Sequence, residues 1–490
     1  MSIPAWNGTE IEGWRHEAAC FVEGSRMMLR GTRDFLAGSA LLALVIGSLP
    51  ASGQTLTEAL SQAYATNPQL NSQRTQVKVV DERLPQAQAG WRPTATVTTG
   101  VGASRVWNQQ VTPNPTDLTP KTAQLQVVQP IYRGGRTENG VERAKNEIKA
   151  ARARLLATEQ TILLQTATSY LNVIRDAAVV TLNENNEKVL RQQLQATRDR
   201  FEVGEVTRTD VSQAEARLAG IIADKEAALG QLRSSRATFV KLTGFDLNQT
   251  SVPASIDALL PKTDAEARSM AEGNNPEVTA AIFDEAAARA SVDETRGELL
   301  PTLSLVGAVN YSSETQPRSA ETKSASITAQ LSVPLYEAGS VYSRIRQAKQ
   351  TASQRRIDQE QTRRIVAEAA VQAFQTLVSA RAQIVSLNEQ IRAAQIALDG
   401  VKQEAAVGSR TTLDVLNQEQ ELLNSQVTLV RAQRDEASAA YQLLAATGQL
   451  TAQKLQLPVQ IYDYEANYNH VDGRWIGTET YDEKNPPAKP

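Results

Sequence analysis

Hydrophobic and polar positions follow two rhythms along this 490-residue chain. In four short segments they alternate with period two. Thr94–Ser104 sets Ala95, Val97, Thr99, Val101 and Ala103 between threonines, glycines and a serine; Thr122–Val128 sets Ala123, Leu125 and Val127 against Gln124 and Gln126. Thr302–Ser312 puts Leu303, Leu305, Val309 and Tyr311 on one side, and Ser324–Val333 alternates Ala325, Ile327, Ala329 and Leu331 with polar residues. This pattern predicts β-strands with one apolar and one polar face. Elsewhere the period is seven: Leu377, Ile384, Ile391 and Leu398 form one series and Val371, Val378 and Val385 another. Val173, Val180 and Leu194 hold equivalent places earlier in the chain, with Glu187 interrupting. Sevenfold spacing predicts supercoiled helices. No proline falls between Pro130 and Pro253 or between Pro334 and Pro458, and proline breaks helix interiors. Helices are therefore predicted over 136–203, 207–243, 339–407 and 411–446, the longer two reaching about 100 Å each.

The two rhythms occur twice. Asn67-Pro68 recurs as Asn275-Pro276 and Arg92-Pro93-Thr94 as Leu300-Pro301-Thr302, at an offset of 208. Pro130-Ile131-Tyr132 recurs as Pro334-Leu335-Tyr336 at an offset of 204, which then holds for Val203-Gly204 with Val407-Gly408 and Asp210-Val211 with Asp414-Val415. A domain-sized unit has been duplicated, with a shorter loop between the strands of the second copy. The expected organisation is an N-terminal extension and signal over 1–53 and a first repeat over 54–252, with a hairpin at 94–131 and long helices at 136–243. A second repeat over 253–457 carries a hairpin at 302–334 and long helices at 339–446, and a tail over 458–490 is partly disordered.

Arg30 and Arg33 precede the apolar run Leu41–Ile46 and the small residues Ala51-Ser52-Gly53, which reads as an export signal cleaved before Gln54. Residues 1–26 fit no part of that pattern, so translation is expected to begin at Met27 or Met28. Cys20 is the only cysteine, and His16 and His470 are the only histidines. The exported body therefore lacks the residues for a Cys/His zinc site, a cysteine nucleophile or a buried Ser-His-Asp triad. No enzyme activity and no cofactor or metal are expected. A net charge of −3 argues against a nucleic-acid partner. Aromatics are only 5% of the chain, which suits closely packed long helices better than a large compact core.

With an export signal, two-faced strands of this length fit a transmembrane β-barrel with a wet lumen. A soluble sandwich and a plain coiled-coil rod would each account for part of the pattern. Trp91, Trp107, Tyr132, Tyr311 and Tyr336 lie at strand ends, where an interfacial girdle belongs. Four strands cannot close, and an open edge in hydrocarbon leaves peptide groups unsatisfied. Two chains would supply eight strands and three would supply twelve; a lumen wide enough for transport favours three.

Duplicated helix–hairpin–long-helix units carrying a Val-Gly-x-x-x-x-x-Asp-Val turn in both copies resemble the TolC-type outer-membrane efflux proteins, from Leu56 to about Leu457. The resemblance implies a mainly α fold with a membrane β-barrel. Three chains would form a 12-stranded barrel in the outer membrane, continued by a 12-helix α-barrel through the periplasm. It implies an equatorial region from residues 245–275 and part of the C-terminal segment. It also implies a periplasmic adaptor and an inner-membrane transporter of the RND or ABC type as partners, the transporter supplying the energy. The family's gate residues match Thr209, Asp210 and Arg410, and its acidic ring matches Asp414. The ring's companion position is neutral Asn417, and the gate tyrosine is replaced by Ala405. The turns Val203-Gly204-Glu205 and Val407-Gly408-Ser409 match the adaptor-docking tips.

The same residues also read as helix punctuation: Thr207-x-x-Asp210 and Thr411-x-x-Asp414 are capping sequences, and Gly204 and Gly408 suit left-handed helix ends. Residues 106–120, with three prolines, are expected to form the larger extracellular loop. The tail's Tyr462, Tyr464, Tyr468 and Trp475 could pack on the equatorial region, and His470 reads as a surface residue. The leading functional reading is an exit duct for tripartite efflux or type I secretion. The alternatives are a periplasmic coiled-coil adaptor and a structural trimeric envelope protein.

Overall fold

A computed structural model describes residues 55–108, 112–247, 251, 253, 255–316 and 321–481. The expected export signal and the last residues of the tail lie outside them. Three short helices open the described chain: α1 (Leu56–Thr66), α2 (Pro68–Asp81) and α3 (Arg83–Gln88). A 3₁₀ turn, Ala89–Trp91, then leads into the strands β1 (Thr94–Val101), β2 (Ser104–Asn108), β3 (Thr112–Leu118) and β4 (Lys121–Tyr132). Helices α4 (Arg136–Glu202) and α5 (Arg208–Thr243) follow. The order then repeats with α6 (Asp264–Asn274), α7 (Pro276–Arg296), β5 (Thr302–Ser313), β6 (Thr322–Ser332), α8 (Ser340–Ala406) and α9 (Thr412–Ala446). A last helix, α10 (Tyr464–Val471), has no counterpart in the first half. Each long helix starts and stops within about two residues of its expected ends.

The repeated Asn-Pro pairs join helices end to end. Asn67 caps α2, its Oδ1 accepting from the Gln69 amide at 2.9 Å, while its Nδ2 donates to the Leu242 carbonyl at the end of α5, 3.1 Å away. Asn275 does the same for α7 and α9, accepting from the Glu277 amide at 2.9 Å and donating to the Ala446 carbonyl at 3.1 Å. The proline that follows each asparagine sits at the first helical position, where no intrahelical donor is lost. One side chain thus satisfies orphan groups on two helices at once.

Tyr170 and Phe239 centre the main core, where α4 and α5 meet α1, α2 and the chain after α9. A second cluster joins α6 and α8 to α9, and a third near the far ends of the long helices gathers Leu190, Leu194, Ala214, Ile221, Leu416 and Leu423. Where Glu187 interrupts the α4 seam it is buried and paired with Lys225 of α5 at 2.7 Å and Arg191 at 2.5 Å. An ion pair thus stands at the position that Ile391 occupies in the other copy.

Strands β1, β4, β5 and β6 form one antiparallel sheet in that order. Their register aligns the alternating residues across all four. One face carries Ala95 and Val97 of β1, Leu125 and Val127 of β4, Leu305 and Val309 of β5, and Ile327 and Ala329 of β6. The opposite face is mostly threonine, serine and glutamine, with Gly100, Val128, Pro130, Val306, Ala308 and Asn310 as exceptions. Strand β4 runs to Tyr132, one residue past the expected hairpin end at 131, and takes in Pro130. This is tolerated because β1 pairs with β4 only as far as Val128, so no ladder on that side needs the missing N–H.

The segment expected as a loop, 106–120, does connect β1 to β4, but much of it is paired strand. The first strand stops at Val101, and β2 and β3 form a separate two-stranded ribbon tied by a two-pronged ion pair from Arg105 to Asp117, at 2.5 and 2.6 Å. The prolines of β3 suggested turns, but a two-stranded ribbon always leaves one edge free to accept them. The described chain therefore has six strands in two sheets rather than four.

Near the base of the sheet two backbones nearly touch. A Cβ on Gly297 would lie 2.4 Å from the Gly134 carbonyl oxygen, and one on Gly134 would lie 2.3 Å from that of Gly297. Only glycine at both places lets the chain leaving β4 cross the chain entering β5.

Candidate gate, docking turns and membrane face

Both long helices end in the same turn. Gly204, at φ +80°, lets the Glu205 amide reach back to the Arg200 carbonyl at 2.9 Å; Gly408, at φ +81°, lets the Ser409 amide reach the Glu404 carbonyl at 2.9 Å. This left-handed closure is the Schellman pattern. The next helix begins three residues later on a reciprocal cap. Asp210 Oδ2 accepts from the Thr207 amide at 2.8 Å and Asp414 Oδ2 from the Thr411 amide at 3.0 Å, while each threonine hydroxyl accepts from the aspartate amide. Val203 and Val407 stand 72% and 81% exposed on these tips. The turns thus present an apolar side chain to solvent, with open space around each glycine.

Each turn is braced by an ion pair, but of opposite polarity. Arg200 Nε contacts Glu205 at 3.0 Å in the first, and Arg410 Nε contacts Glu404 at 2.8 Å in the second. Within one chain Arg410 is therefore held by Glu404 rather than by Thr209 and Asp210. Thr209 is exposed on the first turn of α5. Asn417 accepts from Arg217 Nη2 at 2.6 Å, a bond that joins α5 to α9.

At the other end, the 3₁₀ turn bearing Trp91 is tied to β4, its carbonyl accepting from Gln129 Nε2 at 2.8 Å. Trp91, Tyr132 and Tyr336 are exposed at the helix side of the sheet. Tyr311 lies near the opposite side, paired across the sheet with Ala123 and Lys323, and Trp107 stands beyond the sheet on the β2–β3 ribbon. On the apolar face Val97 and Ile327 are 69% and 80% exposed. They belong to β1 and β6, whose outer edges have no neighbour among the described strands.

The sequence pattern of the outer membrane efflux protein family matches residues 59–245 and 267–449. The chain belongs to this family. Outer membrane efflux protein BepC of Brucella suis biovar 1 is 34% identical over 457 residues, spanning 93% of this chain and 99% of the relative. Outer membrane protein TolC of Vibrio cholerae serotype O1 is 26% identical over 409 residues, 82% of this chain and 92% of the relative. Among solved structures, the CmeC outer membrane channel of Campylobacter jejuni superposes with a TM-score of 0.74 at 16% identity, covering 86% of this chain and 90% of that one.

As in the family, the two halves of this efflux protein are related, and their equivalent ion pairs survive with altered chemistry. Arg198 meets Glu215 at 2.6 Å in the first half, and Lys402 meets Glu419 at 3.1 Å at the same places in the second. Glu404 and Arg217, which touch the candidate gate residues Arg410 and Asn417, are the ones that sequence reasoning missed. Arg217 lies seven residues after Asp210, on the same side of α5, which is the signal that could have placed it. Hydrogen bonds from Thr207 hold the Asp210 carboxyl below the ordinary aspartate range, and those from Thr411 do the same for Asp414. The carboxylate of Glu404 raises the Arg410 guanidinium. All three groups are charged at neutral pH. Among the described residues no His, Cys, Asp and Glu are grouped to hold a metal ion, and no helix is long and apolar enough to cross a membrane.

Proposed function

We propose that this outer membrane efflux protein is the exit duct of a tripartite machine, passing substrates from an inner-membrane transporter of the RND or ABC type to the outside without doing chemistry itself. Three copies would form a 12-stranded barrel continued by a 12-helix periplasmic barrel. The observation that carries this reading is the four-stranded sheet: an apolar face in register across every strand, and two unpaired outer edges. Unpaired edges cost several kcal/mol per peptide group in hydrocarbon, so β1 of one copy must meet β6 of the next. On α8, Leu377 and Leu398 are buried while Val378 and Val385 of the parallel series are exposed, which supports a neighbouring chain along that flank.

In this reading the tips bearing Val203, Gly204, Glu205, Val407, Gly408 and Ser409 receive the adaptor. Thr209, Asp210, Arg410, Asp414 and Asn417 form the periplasmic gate, with Arg217 as an added member. A trimer repeats Asp414 three times around the pore, giving a negative ring that favours cations. Trp91, Trp107, Tyr132, Tyr311 and Tyr336 would flank the lipid.

The test is disulfide scanning between the two outer edges, with cysteines placed along β1 and β6 of the mature chain. One register is expected to give covalent, detergent-resistant trimers that conduct ions in planar bilayers. A monomeric chain, freely soluble without detergent and uncrosslinked in every register, would overturn the reading.

A further inference from the structure

The segment after Leu457 belongs to neither repeat, and it climbs the protein in one direction. The Tyr462 amide donates to Tyr64 Oη of α1 at 3.0 Å, and the Arg74 guanidinium lies over both tyrosine rings, at 4.5 Å from Tyr64 and 5.3 Å from Tyr462. Further along, Asn467 Nδ2 of α10 donates to Oδ2 of the fully buried Asp81 at 2.8 Å. Arg152 of α4 lies 4.8 Å from the Tyr464 ring and 5.0 Å from the Tyr468 ring. Gln88 then donates to Asp472 at 2.8 Å, and Arg92 Nη1 donates to the Arg474 carbonyl at 2.5 Å. Contacts at 64, 81, 88 and 92 follow the chain toward β1, which starts at Thr94. The buried polar pairing at Asp81 fixes the strap's register, because an unpaired carboxyl there would be costly.

The strap delivers two apolar residues to the base of the strands. Trp475 is 66% exposed and Ile476 is 89% exposed. Arg92 stacks over the Trp475 ring at 5.0 Å, held by a carbonyl rather than a carboxylate. Arg474 is drawn inward instead, donating to the Glu479 carbonyl at 2.6 Å. Exposed Trp91 is next to Arg92, and Ala95 and Val97 of the apolar strand face follow. A tryptophan and an aliphatic residue beside a half-buried arginine held by a carbonyl, level with the end of a strand of the sheet, have the chemistry of an interfacial anchor.

We propose that Trp475 and Ile476 dock on the phospholipid surface of the periplasmic leaflet, Ile476 entering the acyl boundary, Trp475 lying at headgroup level and Arg92 facing phosphate. The strap would then tether the helical part to the membrane beside the barrel. This rests on the reading that the four-stranded sheet spans the bilayer.

The test uses the full mature chain, assembled in phosphatidylethanolamine–phosphatidylglycerol vesicles, with single cysteines carrying an environment-sensitive fluorophore. Cys20→Ser removes the one native thiol should the leader persist. Ile476→Cys is compared with Val97→Cys on the apolar strand face and Val407→Cys on the helix tip. Nitroxide lipids labelled near the headgroup are expected to quench position 476 several-fold more than position 407, with protection from aqueous iodide. Quenching no greater than at 407 overturns the anchor. Iodide access would then mean a solvated end, and protection from both quenchers would mean cover by a second copy. Failure of lipid to quench position 97 would instead overturn the spanning sheet, and the anchor with it.

Discussion

Arg410 has two possible partners, and the distinction between them is electrostatic. Within its own turn it meets Glu404, an exposed pair of small worth to stability. As a gate residue it would also reach Thr209 and Asp210 of a neighbouring copy. Single-channel recordings separate the roles: Arg410→Ala is expected to raise conductance, while Glu404→Ala, which leaves the guanidinium free, is expected not to. Equal effects of the two would reduce Arg410 to a brace of its turn. Arg217→Ala, which removes the bond to Asn417, is expected to act in the same direction as Arg410→Ala. Acid supplies a second check. Capping bonds lower the pKa of Asp210 and Asp414 below the ordinary 3.8, so their stabilisation is complete above that value and is lost as pH falls through the lowered one. Conductance and helix-tip protection from hydrogen exchange should therefore stay flat from neutral pH down to about 5 and change only below about 4. A transition near pH 6 would mean that other groups control the tips.

At the scale of elements, the end-to-end joints carry more weight than their length suggests. Asn275 is buried and serves α7 and α9 together, so Asn275→Ala removes a cap and strands the Ala446 carbonyl. The expected loss is about 1–2 kcal/mol, read as a lower melting temperature by circular dichroism in detergent. Asn275→Asp keeps the acceptor and loses the donor, so it should fall between wild type and alanine. If aspartate melts with the wild type, the bond to α9 contributes nothing. The β2–β3 ribbon teaches a different lesson. Thr112-Pro113-Asn114-Pro115 has the local composition of turns, and only pairing with a partner strand made β3 recognisable.

For the whole molecule, the duplication places two near-identical tips on one chain, each showing an exposed valine. Glycine substitutions there would strain a left-handed turn, so the valines are the cleaner probes of docking. Val203→Lys with Val407→Lys is expected to abolish export in cells while trimers still assemble in the outer membrane, as checked by heat-modifiable migration on gels. Export at the normal level would remove the tips from the docking surface. At the opposite end of the molecule β1 and β6 have no outer neighbour among the described strands, and in the proposed assembly other copies would cover those edges.

The positions of the long helices and of the two-faced strands were written in local periodicity, and the duplication in motifs recurring at a fixed offset. Period two, period seven and proline spacing each report on a residue's immediate neighbours. The caps and glycine turns at the tips were equally legible, because they close within six residues. Tertiary structure alone decided the rest: that Asn67 and Asn275 reach across to α5 and α9, that Glu187 is neutralised by Lys225, that Arg410 rests on Glu404, and that Arg217 holds Asn417. It also decided where the tail lies, because its tyrosines find Arg74 and Arg152 only after some four hundred or three hundred residues of intervening chain have folded. Contacts between residues far apart in sequence leave no periodic trace; they exist only once the helices have been set side by side.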